Sequence, residues 1–149
     1  MTPVNPIRSV VAVLGGILLI SVVVEVLEFT LVSARAGGAI ADLEGYFAVR
    51  NQPVMLAAKL VYNSLAAVLG GYMIAKVAGT REMLHAAGGA VVQTIAFAWG
   101  FTAGEYAAFT PVWMRVALIA LTAPAMLVGA SIRARAATAR SAAGTEGAL

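Results

Sequence analysis

The sequence predicts an all-α protein in which four transmembrane helices form an up-down bundle. Hydrophobic residues make up 61% of the chain and charged residues 11%, whereas soluble domains average about 45–50% and about 25%. Four apolar runs reach or approach the ~20 residues that a helix needs to cross a bilayer. Because these runs are continuously apolar, they predict helices rather than barrel strands, in which polar and apolar residues alternate.

The predicted spans cover residues 9–32, 54–76, 84–104 and 112–133, within a single membrane domain of residues 1–135. Short connections between spans two and three, and between three and four, predict antiparallel neighbours. Residues 136–149 consist mainly of Ala, Arg, Ser, Gly and Thr. They have little to bury, so we expect a flexible cytoplasmic tail.

The first loop, residues 33–52, is long enough to fold. Gly37 and Gly38 end the preceding helix, and Ile40, Leu43 and Phe47 then recur at helical spacing. This pattern predicts a short amphipathic helix at the membrane interface.

Basic residues predict the orientation, because Lys and Arg are enriched in cytoplasmic loops. If the N-terminus is inside, six basic residues lie on the cytoplasmic side and two in the outer loops. We therefore expect a multi-pass protein of a bacterial inner membrane with both termini in the cytoplasm. The inner set is Arg8, Lys76, Arg81, Arg133, Arg135 and Arg140, and the outer set is Arg35 and Arg50.

Glycines recur on several predicted spans. In lipid, helices associate through close van der Waals contact, so small residues are typical of their interfaces. We expect eight glycines to mediate helix packing or assembly of several copies: Gly15, Gly16, Gly70, Gly71, Gly88, Gly89, Gly100 and Gly104.

The second and fourth spans also resemble each other. Each opens with Pro-Val, at Pro53 and Pro111, and each ends with a glycine and a small residue before basic residues, at Gly70-Gly71 and Gly129-Ala130. The pattern has two interpretations: two copies of one helical hairpin, related by an axis along the membrane normal, or a chance match between short segments.

Every ionisable residue inside a predicted span lies in the same half of the membrane, the outer one. Bare charges near the membrane centre cost ~2.5–3.5 kcal/mol on insertion scales, so pairing is expected. One interpretation is a set of ion pairs that fixes helix register, and the other is a substrate or proton site. The candidate cluster is Glu25, Glu28, Lys59, Asn63, Glu105 and Arg115.

The sequence disfavours most chemistry. It has no cysteine and one histidine, His85, so thiol catalysis, disulfides and a metal site have no basis. Nucleotide-binding loops and nucleophile motifs are missing, and no basic stripe with interleaved aromatics indicates nucleic-acid binding. We expect neither enzymatic activity nor a cofactor.

One segment carries a family resemblance. Leu69-Gly70-Gly71-Tyr72 is followed by Ala75-Lys76-Val77-Ala78-Gly79, Arg81 and His85-Ala86. This string resembles a recurrent segment of small four-span membrane proteins of bacteria, and the resemblance implies their fold but no activity. Further matching features are Gly15-Gly16 with Glu25, Pro111-Val112-Trp113, and Pro124-Ala125 with Gly129.

Two functional hypotheses follow. The first is a non-catalytic accessory subunit that packs with lipids, with copies of itself or with other integral membrane subunits; a helix-lined lipid or quinone site is a variant of it. The alternative is a small oligomeric carrier or ion- or proton-conducting protein that uses the intramembrane Glu/Lys cluster.

Overall fold

The computed structural model describes residues 5–104 and 107–146, with side chains as far as Arg140. Its helices are α1 (Pro6–Ala36), α2 (Leu43–Arg50), α3 (Pro53–Ala78), α4 (Glu82–Ala103) and α5 (Val112–Glu146), with a 3₁₀ turn at Ala107–Phe109. Four of them, all except α2, are long and apolar enough to cross a membrane. The predicted fold class is therefore confirmed.

The ends of α1 follow from local chemistry. The Asn5 side chain caps the first turn, accepting hydrogen bonds from the backbone N–H groups of Ile7 and Arg8 at 3.0 and 3.3 Å. Pro6 begins the helix, where its missing N–H costs nothing. Gly37 ends it in the left-handed region at φ 80°, which glycine adopts without steric cost.

The predicted loop helix is present as α2. Asp42 caps it by accepting a hydrogen bond from the Gly45 N–H at 2.6 Å. The helix buries Phe47 and Arg50, so it packs against the bundle on one face. A helical segment between the first and second spans is thus confirmed.

The last helix is longer than the predicted span. α5 continues past residue 133 to Glu146, so residues 136–146 of the predicted flexible tail extend this helix. Its flexibility stays a prediction.

Two helices, α3 and α5, form the centre of the bundle and run in the same direction. Leu56 packs with Met114, and farther along both helices the Asn63 amide donates to Thr122 Oγ1 at 3.0 Å. α1 lies antiparallel to α3, and α4 antiparallel to α5. Two antiparallel hairpins, α1–α3 and α4–α5, therefore stand side by side.

The crossing of α3 and α5 is reciprocal. A side chain at Gly71 would run into the backbone of Met126, and one at Gly129 would run into the backbone of Val68. Val68 and Met126 each precede their glycine by three residues, so the two helices make the same contact in both directions. This symmetry agrees with the hairpin repeat that the sequence suggests.

The other predicted packing glycines fall into two groups. Gly16 on α1 lies against α3, and Gly70 on α3 lies against α1. Gly89 on α4 lies against the Ile74 side chain of α3. A side chain at Gly15, Gly88 or Gly100 would meet no described atom within 4 Å, and Gly104 lies against the Gly100 carbonyl at the end of α4. The first group brings helices of this chain together, and the open positions do not.

The contrast between Gly71 and Gly88 gives a matched test. We expect Gly71→Ala to lower stability by about 1–3 kcal/mol, because the added methyl overpacks the α3–α5 contact. Gly88→Ala should be neutral or stabilising by up to about 1 kcal/mol, since alanine favours helix at an open position. Thermal unfolding of both variants in the same detergent, followed by circular dichroism, measures the difference. Equal effects would contradict the packing described here.

Candidate functional site

The centre of the site is a buried carboxylate. Glu28, 7% exposed, accepts hydrogen bonds from Lys59 Nζ and from the Tyr62 hydroxyl, the latter at 2.9 Å. Arg50 Nε lies 2.8 Å from its other oxygen, and the Tyr46 hydroxyl donates to that oxygen at 3.5 Å. We call these five residues the Glu28 cluster.

Helical spacing explains how the residues of the Glu28 cluster come together. Burial along α1 recurs every four residues, and Glu28 takes its place in that row between the buried Val24 and Val32, which puts it toward α3. On α3, Lys59 and Tyr62 are three residues apart and share a face. On α2, residues 46 and 50 are one turn apart, so one short helix supplies both Tyr46 and Arg50.

The charges of the cluster do not cancel. Two cations, Arg50 and Lys59, meet one carboxylate, and both are buried, at 6% and 7% exposure. Burying a charge is costly unless it is paired and hydrogen-bonded. Arg50 gains a further partner, since its Nη1 donates to Thr110 Oγ1 at 3.1 Å. The Glu28 cluster is therefore a tightly bonded group with one net positive charge.

Burial also acts on the two members that lie outside the spans. It lowers the pKa of Arg50, while Tyr46, Tyr62 and Glu25 act in the opposite direction. It raises the pKa of Tyr46, an effect that nearby Arg50 reduces. An arginine stays protonated in proteins, and a raised pKa keeps the tyrosine neutral. Arg50 therefore keeps the charge that pairs with Glu28, and Tyr46 keeps the proton that it donates to Glu28.

The structure joins only part of the predicted polar cluster. Glu28 and Lys59 meet, whereas Asn63 bonds to Thr122 between α3 and α5. Arg115 donates instead to the carbonyls of Thr110 and Phe101, at 2.7 and 3.1 Å, and so fastens the end of α4 to the start of α5. Glu105 lies outside the described residues.

Three members of the Glu28 cluster are absent from the sequence-derived set. By sequence, Arg50 counts as a charge of the outer loop, and no role is assigned to Tyr46 or Tyr62. The available signal is the spacing of Tyr46 and Arg50, which places both on one face of the predicted loop helix. That spacing does not reveal that α2 docks this face onto Glu28.

A cavity of about 590 Å³ adjoins the cluster, within the range of small-molecule sites, roughly 300–1,000 Å³. α1 and α4 form its sides, with α2 at one end and α3 and the start of α5 behind it. At the other end of the bundle α1 and α4 come together, where His85 Nε2 lies 2.8 Å from Ser9 Oγ. Toward α2 the cavity lies between these two helices.

The cavity wall is mixed in character. Ile20, Phe97 and Phe101 supply apolar surface, and the Phe97 and Phe101 rings lie 5.5 Å apart. Gln93 is 4% exposed and also lines the cavity; its Oε1 accepts no hydrogen bond from the described residues. Glu25 lines the rim and is exposed.

The rim shows where the cavity opens. On α1 the lining residues Ser21 and Glu25 are exposed, and on α4 so are Ala96 and Gly100. These residues lie within two of the apolar helices that are long enough to span a membrane. The opening therefore faces sideways, between two helices that are candidate membrane spans.

Comparisons with protein-family models, with curated proteins and with solved structures found no match. The four-span architecture stands on the helices themselves, and nothing about function is carried over from a relative. Among the described residues, no three His, Cys, Asp or Glu side chains are grouped so as to hold a metal ion. The arrangement offers binding chemistry: a charged, hydrogen-bonded wall beside an apolar one.

The Glu28 pairing predicts a large effect of one substitution. Glu28→Gln leaves Arg50 and Lys59 buried without a counter-charge, and breaking a buried pair typically costs about 3–5 kcal/mol. Glu25→Gln removes the same charge from an exposed position three residues away and should cost much less. Unfolding free energies of both variants in one detergent measure this difference.

A combined variant controls for lost packing. Replacing Glu28, Arg50 and Lys59 together by Leu, Leu and Met removes all three charges of the Glu28 cluster, and such exchanges are often near neutral. The variant should recover most of the stability that Glu28→Gln loses. If Glu28→Gln and Glu25→Gln are equally stable, Glu28 is not the buried counter-charge described here.

Proposed function

We propose that this multi-pass membrane protein is a non-catalytic binding protein of a bacterial inner membrane that holds a small amphipathic molecule in the cavity between α1 and α4. The observation that carries the proposal is the sideways opening of a partly polar cavity between two spans. A molecule dissolved in the bilayer can enter such a cavity without crossing water. Its polar part then meets Glu25 and Gln93, while its apolar part contacts Phe97, Phe101 and the surrounding lipid.

The depth of the cavity supports this function. α1 has 31 residues and is about 46 Å long at 1.5 Å per residue, more than the ~30 Å hydrocarbon core. Glu25 lies seven residues before residue 32, the predicted end of the span, or about 10 Å along the helix axis. A polar group at that depth is costly unless it is satisfied, and a bound polar group satisfies it.

The basic residues support an orientation with both termini in the cytoplasm. At the end opposite α2, Arg8 Nε donates to the Val77 carbonyl at 2.6 Å, and Arg133 lies 3.6 Å from Glu82. This end carries the excess of arginine and lysine that is typical of the cytoplasmic side. The cavity would then open in the outer half of the membrane.

The open glycines support an additional accessory role. Gly15, Gly88 and Gly100 offer small surfaces on α1 and α4 that no described residue covers, and small residues are typical of contacts between membrane helices. Association with a second copy or another membrane subunit stays a prediction. The carrier alternative has weaker support, because Glu28 and Lys59 are engaged with each other in a buried pair.

The proposed function can be tested by filling the cavity mouth. Gly100 lines the cavity and has open space beside it, so Gly100→Phe should block the opening without disturbing the fold. Gly15→Phe is the matched control, since Gly15 is equally open and does not line the cavity. Native mass spectrometry of protein extracted from its membranes in mild detergent measures what stays bound.

We expect wild type and Gly15→Phe to retain a small molecule that Gly100→Phe has lost. Lipids bound nonspecifically to the bundle surface should be equal in all three samples, because most of that surface is unchanged. If all three samples carry the same bound species, the cavity holds no ligand and the proposed function is wrong.

A further inference from the structure

We infer that the cavity selects a lipophilic organic cation, with the Glu25 carboxylate as its counter-ion. This inference rests on the proposed function and specifies the class of ligand. It follows from which polar groups of the cavity wall are already bonded and which are free to meet an occupant.

The positively charged side chains of the cavity wall are already paired with Glu28. Lys59 and Arg50 are each more than nine-tenths buried, and both are bound to Glu28. Arg50 is held further by Thr110 and lies over the Phe47 ring, 5.0 Å from its centroid. An anion entering the cavity would have to draw one of these cations away from Glu28, which would leave a buried carboxylate under-compensated.

The free groups of the wall are acceptors. Glu25 is exposed at the rim and has no hydrogen bond, and no ion pair within 4 Å, with any described residue. Gln93 Oε1 is buried and accepts no hydrogen bond from the described chain. A carboxylate attracts a cation and repels an anion, whereas the Gln93 amide accepts through its oxygen and can donate through its nitrogen. Glu25 therefore carries the preference for positive charge, and Gln93 adds a buried, unsatisfied acceptor on a second helix.

The apolar part of the wall also suits a cation. Phe97 and Phe101 on α4 line the cavity across from Glu25 on α1. Aromatic faces attract organic cations through their quadrupole, more strongly where water is excluded. A positive centre with apolar substituents would therefore find a counter-charge on one side and aromatic rings on the other.

The position of Glu25 limits repulsion from the Glu28 cluster. Glu25 precedes Glu28 by three residues and so lies about 4.5 Å farther from the α2 end along the axis of α1. Arg50 belongs to α2, and Glu25 is close enough to raise its pKa against the effect of burial, so Glu25 also offsets part of the positive charge of the cluster. A cation at Glu25 is thus nearer to the free carboxylate than to the net positive charge of the cluster.

Two ions of nearly identical size and shape but opposite charge test the inference. Radiolabelled tetraphenylphosphonium and tetraphenylborate are each titrated onto the full chain in lipid nanodiscs, with empty nanodiscs subtracted. We expect saturable binding of tetraphenylphosphonium only, weakened about tenfold or more by Glu25→Gln, because the substitution removes the counter-charge from a low-dielectric site. Glu44→Gln, which removes an exposed acid on α2 that does not line the cavity, should leave binding unchanged.

The outcomes separate the two proposals. Preference for tetraphenylborate, or unchanged tetraphenylphosphonium binding in Glu25→Gln, overturns the cation inference; if Gly100→Phe still blocks that binding, the cavity remains a ligand site. If neither ion binds saturably, or if binding is insensitive to Gly100→Phe, the cation inference also fails. In that case the native mass-spectrometry comparison decides whether the cavity holds any ligand at all.

Discussion

The burial of one carboxylate between two cations organises the α2 end of this bundle. Glu28 draws Lys59 from α3 and Arg50 from α2 to one point, so three consecutive helices are joined through a single side chain. In a low-dielectric layer none of these charges is tolerated alone. Because α2 has only eight residues, too short to be a stable helix in isolation, its place over the bundle depends strongly on this pairing and on the buried Phe47.

The cavity is a consequence of how the helices are held. Close contacts at Gly16, Gly70, Gly71 and Gly129 fix α3 against its neighbours, while α1 and α4 are joined near His85. The Glu28 cluster then draws α1 to α3 rather than to α4. The space left between α1 and α4 is covered at one end by α2 and remains open toward the lipid.

Much of the fold can be predicted from the sequence, because the physics of a membrane span is local. Length and apolarity alone place α1, α3 and α4, and the spacing of Leu43 and Phe47 places α2. The continuation of α5 to Glu146 is missed, since its alanines and arginines favour helix without an apolar signal. The spacing of glycines also does not tell whether they face a helix of the same chain, as at Gly71, or open space, as at Gly88.

The site is predictable only in part, for a related reason. The cost of buried charge points to Glu28 and Lys59, because they interrupt apolar runs, and the pairing rule joins them. In the sequence Arg50 lies in a predicted loop, where a charged residue is common. Its pairing with Glu28 becomes apparent only in the structure, where α2 packs against the bundle. Glu25 and Glu28 look equivalent in the sequence, but they lie about 60° apart around the helix, and this offset is enough to bury one and expose the other.

Glu28 holds α2 against the bundle, and hydrogen exchange of the α2 backbone tests this role directly. The backbone amides of residues 43–50 should be protected in the wild type and in Glu25→Gln, measured in the same detergent. In Glu28→Gln these amides should exchange much faster, while those at the α3–α5 crossing remain protected. Equal protection of α2 in wild type and Glu28→Gln would contradict the account.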